Sequence, residues 1–150
     1  MSSTKQKRLF IIDGYATLYR AHYALIRNPL TNSAGTPTSA IFGFANQVFQ
    51  LIEEEKPDYL VAAFDSKGKN FRHEIFEEYK ANRSEMPDEI QTQLPYLWKL
   101  LEGMNIPVLR VDGVEADDII GTVAKQCSDN GLQCNIAVSY THLTLPTTEY

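Results

Sequence analysis

The sequence has little of what several protein classes require. Its two cysteines, Cys127 and Cys134, form no CxxC pair and stand beside no histidine pattern, so the simplest interpretation is two incidental thiols of a cytosolic protein. No apolar run approaches the roughly 20 residues of a membrane span. The apolar stretch after the basic residues near the start covers only residues 9–12, which is too short for the core of a signal peptide.

Several kinds of active site are also not indicated. The sequence contains no Walker A motif, so ATP binding has no support. The histidines, His22, His73 and His142, are scattered, and no Ser-His-Asp or Cys-His set is recognisable among them. The net charge of −5 does not by itself indicate a nucleic-acid binder. It does not exclude one, because the local distribution of charge decides such binding.

What the chain does have is an alternation of apolar runs and helical periodicity. The apolar runs predict buried strands at residues 8–13, 59–64, 106–110 and 134–138. Helices are predicted at residues 14–25, 40–55, 88–101 and 115–130, with a kink or break at Pro95. This order predicts one α/β domain with a mostly parallel sheet flanked by helices. Residues 139–150 lack apolar periodicity, and we expect an irregular end there.

Acidic residues stand where three predicted strands end. Asp13 closes the first strand and Asp65 the second, whereas Glu115, Asp117 and Asp118 follow the third after a short glycine-containing turn. Ligands of open α/β sheets bind outside the carboxyl ends of the strands, and adjacent strands are about 4.8 Å apart. Each acid has an alternative role as a helix cap or turn residue. Their joint occurrence favours a divalent-metal site, because carboxylate oxygens suit Mg²⁺ or Mn²⁺.

A basic and aromatic segment, residues 67–83, follows the second strand. Its five basic side chains are Lys67, Lys69, Arg72, Lys80 and Arg83. A solvated charged loop or helix is the simplest interpretation of such a segment. On a helix, however, Lys80 and Arg83 would share a face, and Tyr79 beside them can stack on an unpaired base. Cations near a carboxylate cluster would bring a phosphate backbone to the metal ions.

These features occur in a set of longer motifs. The motifs occupy residues 8–14, 38–44, 63–65, 67–69, 71–72, 79–83 and 113–118. Together they resemble the N-terminal 5′-nuclease domain of bacterial DNA polymerase I, which is related to the flap endonucleases. The resemblance implies a PIN-like, Rossmann-like α/β fold with a basic helical-arch segment. It also implies a 5′-3′ exonuclease that removes 5′ flaps and RNA primers in DNA replication and repair.

The resemblance assigns roles to individual residues. It implies that the metal ligands are Asp13, Asp65, Glu115, Asp117 and Asp118. It implies that Arg72 and Lys80 act on the scissile phosphate, and that the DNA-binding residues are Lys67, Lys69, Arg72, Tyr79, Lys80 and Arg83. The complete domain would hold two Mg²⁺ or Mn²⁺ ions. The expected context is a monomeric, cytoplasmic, nucleoid-associated bacterial protein with no membrane partner and with polymerase domains following in the parent chain.

The chain departs from the family pattern after the fourth strand. The family has a Gly-Asp-x-Asp element there that completes its metal site, whereas Val138 is followed by Ser139 and Tyr140. We therefore expect residues 1–7 to be a flexible start, 8–138 to be the N-terminal part of the nuclease domain, and 139–150 to be a tail foreign to it.

Three other hypotheses stay open beside an active nuclease. One is a fragment that binds DNA without cutting it. A second is a PIN-like ribonuclease, against which the long polar segment counts. A phosphatase built on Asp13 is weaker, because it would need an acid at residue 15, where the chain has Tyr15.

Overall fold

Strands and helices alternate along the chain in the computed structural model, which describes residues 5–66, 86–137 and 142–144. The first half contains β1 (Arg8–Asp13), α1 (Gly14–Ala24), α2 (Ser39–Glu55) and β2 (Tyr59–Ala63). The second half contains α3 (Asp88–Gln91), α4 (Leu94–Gly103), β3 (Val108–Leu109), α5 (Ala116–Asp129), β4 (Gln133–Ala137) and β5 (His142–Thr144). The predicted strands and helices are present within a few residues of their expected bounds.

The strands form one sheet in the order β3-β2-β1-β4-β5. The pairs β3–β2, β2–β1 and β1–β4 are parallel, as predicted, and β5 pairs with β4 in the antiparallel direction. Asp13 lies opposite Ala63 in the register, and Ala63 lies opposite Leu109. The carboxyl ends of β1, β2 and β3 therefore meet at one edge of the sheet.

The core lies on both faces of the sheet. Phe10, Ile11 and Ile12 on β1 are all buried, because helices cover the sheet on each side. Ile12 packs into the cluster formed with α1, α2 and α4, whereas Ile11 packs into the cluster formed with α5. The continuous apolar run of β1 follows from this double coverage, since neither face of the strand meets water.

Helix α2 is fixed by a side chain that is distant in sequence. Gln93, between α3 and α4, accepts a hydrogen bond from the Ile41 N–H at 2.9 Å and donates one to the Glu89 carbonyl at 2.7 Å. Ile41 lies in the first turn of α2, where backbone N–H groups have no partner within the helix. Pro95 stands in the first turn of α4, so the predicted interruption is a break between two helices.

Two expectations from the sequence are wrong in detail. The irregular end expected over residues 139–150 contains the strand His142–Thr144, because β4 offers a free edge with which a short segment can pair. The third strand is two residues long, not five. It lies at the opposite edge of the sheet and pairs only with β2 among the described strands.

Candidate metal and nucleic-acid site

Hydrogen bonds join the strand tips at the carboxyl edge of the sheet. Asp13 is the last residue of β1 and the N-cap of α1, and Glu115 is the N-cap of α5. The Asp65 carboxylate accepts a hydrogen bond from the Ala116 N–H at 2.7 Å. The Ser66 hydroxyl accepts another from the Gly113 N–H at 3.1 Å. These bonds tie the end of β2 to the loop that leads into α5, so the acids of the two segments lie at the same place.

Electrostatic interactions show that acids from three segments share one region. Burial raises the pKa of Asp13 above its ordinary value, and the Asp117 and Asp65 carboxylates raise it further. The Ala16 N–H and the Arg20 side chain act in the opposite direction and lower this pKa. Arg20 was missed at the sequence level, although its position seven residues after Asp13 places it two helical turns along α1.

The remaining acids differ in their exposure. Glu115 is buried, with 8% of its surface exposed. Asp118 is partly buried and Asp117 is exposed. Within residues 5–66 and 86–137, no three Asp, Glu, His or Cys side chains form a group that is ready to hold one ion. The acids are thus gathered at one edge of the sheet, and their assignment as metal ligands stays a prediction.

The donor chemistry of this edge fits a hard divalent cation. All five predicted ligands are carboxylates, and Asp13 is charged only at a cost because of its burial and its acidic neighbours. A positive ion among such groups favours their ionised form and relieves their mutual repulsion. Oxygen donors are those that Mg²⁺ and Mn²⁺ prefer.

A close contact between a ring and a glycine sets the spacing of the tips of β1 and β2. Phe64, which precedes Asp65, is fully buried and lies against the backbone of Gly14, which follows Asp13. A Cβ atom at residue 14 would come within 3.0 Å of three ring atoms of Phe64. Glycine at this position therefore lets the two acid-bearing tips approach each other.

An arginine and three aromatic rings pack beside the acids. We name this set the Arg110 cluster: Tyr15, Phe64, Trp98 and Arg110. The Phe64 ring centroid lies 5.0 Å from that of Tyr15 and 4.9 Å from that of Trp98, both edge to face. The Arg110 guanidinium lies over the Trp98 ring at 4.7 Å and donates a hydrogen bond of 3.5 Å to the Tyr15 hydroxyl.

The Tyr15 hydroxyl links this cluster to the acids. Burial raises the pKa of Tyr15, Arg110 lowers it, and the Asp65 carboxylate raises it. Sequence reasoning treated Tyr15 only as a missing acid and did not select Arg110. The available signal was a lone arginine at the end of the third predicted strand, at the edge where the acids were expected.

The basic residues predicted to bind nucleic acid lie outside the described residues. These are Lys67, Lys69, Arg72, Tyr79, Lys80 and Arg83. In sequence, the segment follows directly after Asp65 and Ser66, which belong to the acidic edge. Among the described residues, no helix has the length and apolar character needed to cross a bilayer.

Comparison with known proteins identifies the class to which this fold and acidic edge belong. The family model described as "5′-3′ exonuclease, N-terminal resolvase-like domain" matches residues 8–140. The chain therefore belongs to the family of N-terminal domains of 5′-3′ exonucleases.

Curated relatives agree with this assignment. The chain is 47% identical over 125 residues to DNA polymerase I of Caldicellulosiruptor bescii, an alignment that covers 83% of the chain and 14% of that relative. It is 41% identical over 130 residues to a 5′-3′ exonuclease of Aquifex aeolicus, covering 87% of the chain and 44% of the relative. The chain thus spans less than half the length of either relative.

Solved structures confirm the predicted PIN-like α/β fold. T5 5′-exonuclease with bound zinc ions matches with a TM-score of 0.57 and 16% identity, over 92% of this chain and 58% of that one. The catalytic core of Rad2 in complex with DNA substrate matches with a TM-score of 0.57 and 16% identity, over 93% and 46%. At this level of identity the likeness concerns the fold.

Proposed function

We propose that the acidic edge is the metal site of a 5′-3′ exonuclease and flap endonuclease that acts on DNA. The observation that carries the proposal is the meeting of Asp13, Asp65 and Asp117, from three separate segments, within electrostatic range at the strand tips. Family membership supports the reaction class. The Aquifex relative is named a 5′-3′ exonuclease, and the T5 D15 flap endonuclease was solved with DNA and metal ions.

The proposed cofactor is Mg²⁺ or Mn²⁺, held by Asp13, Asp65, Glu115, Asp117 and Asp118. Bound divalent ions of this kind supply a hydroxide nucleophile and stabilise negative charge on a phosphodiester. The chain itself contributes the position of the acids. The hydrogen bond from Ala116 orients the Asp65 carboxylate, and the packing of Phe64 on Gly14 holds Asp65 near Asp13. Two ions in the complete domain remain part of the proposal.

The proposed substrate is DNA with a 5′ flap or a single-stranded 5′ end, bound by a monomer. Arg72 and Lys80 would contact the reacting phosphate, while Lys67, Lys69 and Arg83 neutralise the backbone. Tyr79 would stack on an unpaired base.

Flap cleavage tests the metal assignment. A 5′-labelled flap DNA is incubated in Mg²⁺, Mn²⁺ or EDTA with the complete domain, in which a family-like Gly-Asp-x-Asp element and remainder follow residue 138, and with its variants Asp65→Asn and Asp129→Asn. Asp129 is an exposed acid at the end of α5 and serves as the matched control. We expect cleavage in either metal, none in EDTA, and a loss of about 100-fold or more for Asp65→Asn, in line with removal of a charge-stabilising group. Undiminished cleavage in EDTA, or by Asp65→Asn, would show that the acids do not bind catalytic metal.

A second candidate is a fragment that binds DNA without cutting it. The observation that favours it is the lack of a three-ligand group that is ready for an ion among the described residues. Salt-sensitive binding of flap DNA that Lys80→Ala weakens equally with and without EDTA, together with no product in Mg²⁺ or Mn²⁺, would select this function. Preferential cleavage of single-stranded RNA would instead indicate a ribonuclease.

A further inference from the structure

Arg110 lies beside the acidic edge although neither motif nor spacing marked it. Leu109, the last residue of β3, pairs with Ala63, and its carbonyl accepts a hydrogen bond of 3.0 Å from the Phe64 N–H. Arg110 therefore follows the strand tip next to Phe64 and Asp65. The shared neighbour Tyr15 interacts electrostatically with both Arg110 and Asp65, which places the guanidinium near the acids.

The guanidinium is held in one orientation by its neighbours. It lies over the Trp98 ring at 4.7 Å, and it donates to the Tyr15 hydroxyl at 3.5 Å. Phe64 supports both rings from between them. A planar guanidinium fixed in this way loses little further freedom when it forms additional hydrogen bonds.

Most hydrogen-bonding capacity of Arg110 is unused by the described residues. Its Nε lies buried with no acceptor among residues 5–66 and 86–137. Among these described residues, the salt bridge that forms joins Arg8 and Glu55, and no carboxylate there forms one with Arg110. The Nε–H lies too deep to meet a ligand from solvent, so the donors that remain for one are the Nη hydrogens that do not bond to Tyr15, and an arginine Nη–H is a strong donor to a phosphate oxygen.

We propose that Arg110 binds a backbone phosphate of the DNA that enters the acidic edge. This inference rests on the proposed function and adds a phosphate contact outside the segment 67–83. The chemical reason is charge. A site built from five carboxylates repels a polyanion, so fixed cations close to the acids lower the cost of bringing a phosphate there.

Trp98 allows this contact to be observed directly. It is the single tryptophan of the sequence, so the intrinsic fluorescence of the chain reports on the ring over which Arg110 lies. The chain is titrated in EDTA with unlabelled 5′-flap DNA while Trp98 emission is recorded. In the wild type we expect the Trp98 emission to change with added DNA and to reach a plateau. In Arg110→Gln, whose side-chain amide is planar but uncharged, we expect a smaller change or none.

The salt dependence of binding gives the number of phosphate contacts. Affinity is measured by anisotropy of a labelled flap DNA in EDTA for the wild type, Arg110→Gln, Arg110→Ala and Lys125→Ala. Removing one phosphate contact lowers the slope of log K against log salt by about 0.9. Between about 50 and 200 mM salt the wild type should then lose roughly 3-fold more affinity than either Arg110 variant. Lys125, an exposed cation on α5, is the matched control and should keep the wild-type slope.

The outcomes separate this inference from the proposed function. If Lys80→Ala lowers affinity and slope while both Arg110 variants bind like the wild type, Arg110 does not bind phosphate and the proposed function stands. If the wild type itself shows no salt-dependent DNA binding, the proposed function and this inference both fail. Melting curves of the variants show whether each is folded, and Arg110→Gln preserves a planar group over Trp98 should the alanine variant unfold.

Discussion

Replacing Gly14 with alanine tests how the two acid-bearing strand tips are held together. The new Cβ would come within 3.0 Å of three atoms of the Phe64 ring, a separation that real Cβ atoms essentially never show. The ring cannot simply turn away, because it is fully buried and contacts Tyr15 and Trp98. The change therefore forces a shift of Phe64 and of Asp65, which follows it.

Two opposing effects set the change in the free energy of unfolding that Gly14→Ala causes. Overpacking of a buried site costs about 1–3 kcal/mol. Alanine in place of glycine in a helix returns up to about 1 kcal/mol, and less at the first position of α1. We expect a net loss of about 1–2 kcal/mol in the free energy of unfolding. For a chain of this size, that corresponds to a fall in Tm of about 2–8 °C.

Thermal unfolding followed by circular dichroism measures the effect, with Gly103→Ala as the matched control. Gly103 ends α4, and a Cβ there would meet no atom within 4 Å, so its Tm should not fall. The double variant Gly14→Ala with Phe64→Leu should lose less stability than the sum of the single variants, because the smaller side chain relieves the contact. A Gly14→Ala protein that melts with the wild type, or strict additivity in the double variant, would refute the reasoning.

Two further predictions concern charge and capping. Because the folded-state pKa of Asp13 is raised, its ionisation costs stability above the ordinary pKa of the group. Asp13→Asn should therefore unfold at a higher urea concentration than the wild type at pH 7, and the difference between the two midpoints should be smaller at pH 4. A difference of the same size at both pH values would contradict this. Gln93→Ala should lower the free energy of unfolding by about 1–3 kcal/mol, because the Ile41 N–H loses its partner and the Glu89 carbonyl keeps only its bond from the Thr92 hydroxyl. Urea unfolding beside the exposed control Gln91→Ala checks this, and equal losses for both variants would count against it.

The strands and helices were predictable because their causes are local. The double burial of β1 is visible as an uninterrupted apolar run, and the break at Pro95 follows from the missing N–H of proline. The convergence of Asp13 and Asp65 was predictable for a related reason. Parallel strands end at a common edge, so acids that close successive strands must approach one another when those strands are neighbours.

Other features could not be predicted because they depend on residues far apart in sequence. The Gln93 side chain caps α2 by accepting from the Ile41 N–H, 52 positions away, and no local sequence pattern predicts that hydrogen bond. The stacking of Arg110 on Trp98 requires the end of β3 to meet α4, which only the packed fold decides. The strand β5 was missed because a three-residue segment has no periodicity of its own, and its conformation is set by the free edge of β4.

The position of β1 in the middle of the sheet has a consequence for how the acidic edge moves. β1 is hydrogen-bonded along both edges, by β2 and by β4, whereas β3 is a two-residue strand bonded to β2. Amide groups of central strands exchange with solvent through global opening, and short edge elements open locally. We therefore expect Asp13 to act as the fixed reference point, while local opening of β3 changes its distance to Arg110, which directly follows that strand. The arginine beside the acidic edge would then move while the acids of β1 and β2 stay in place.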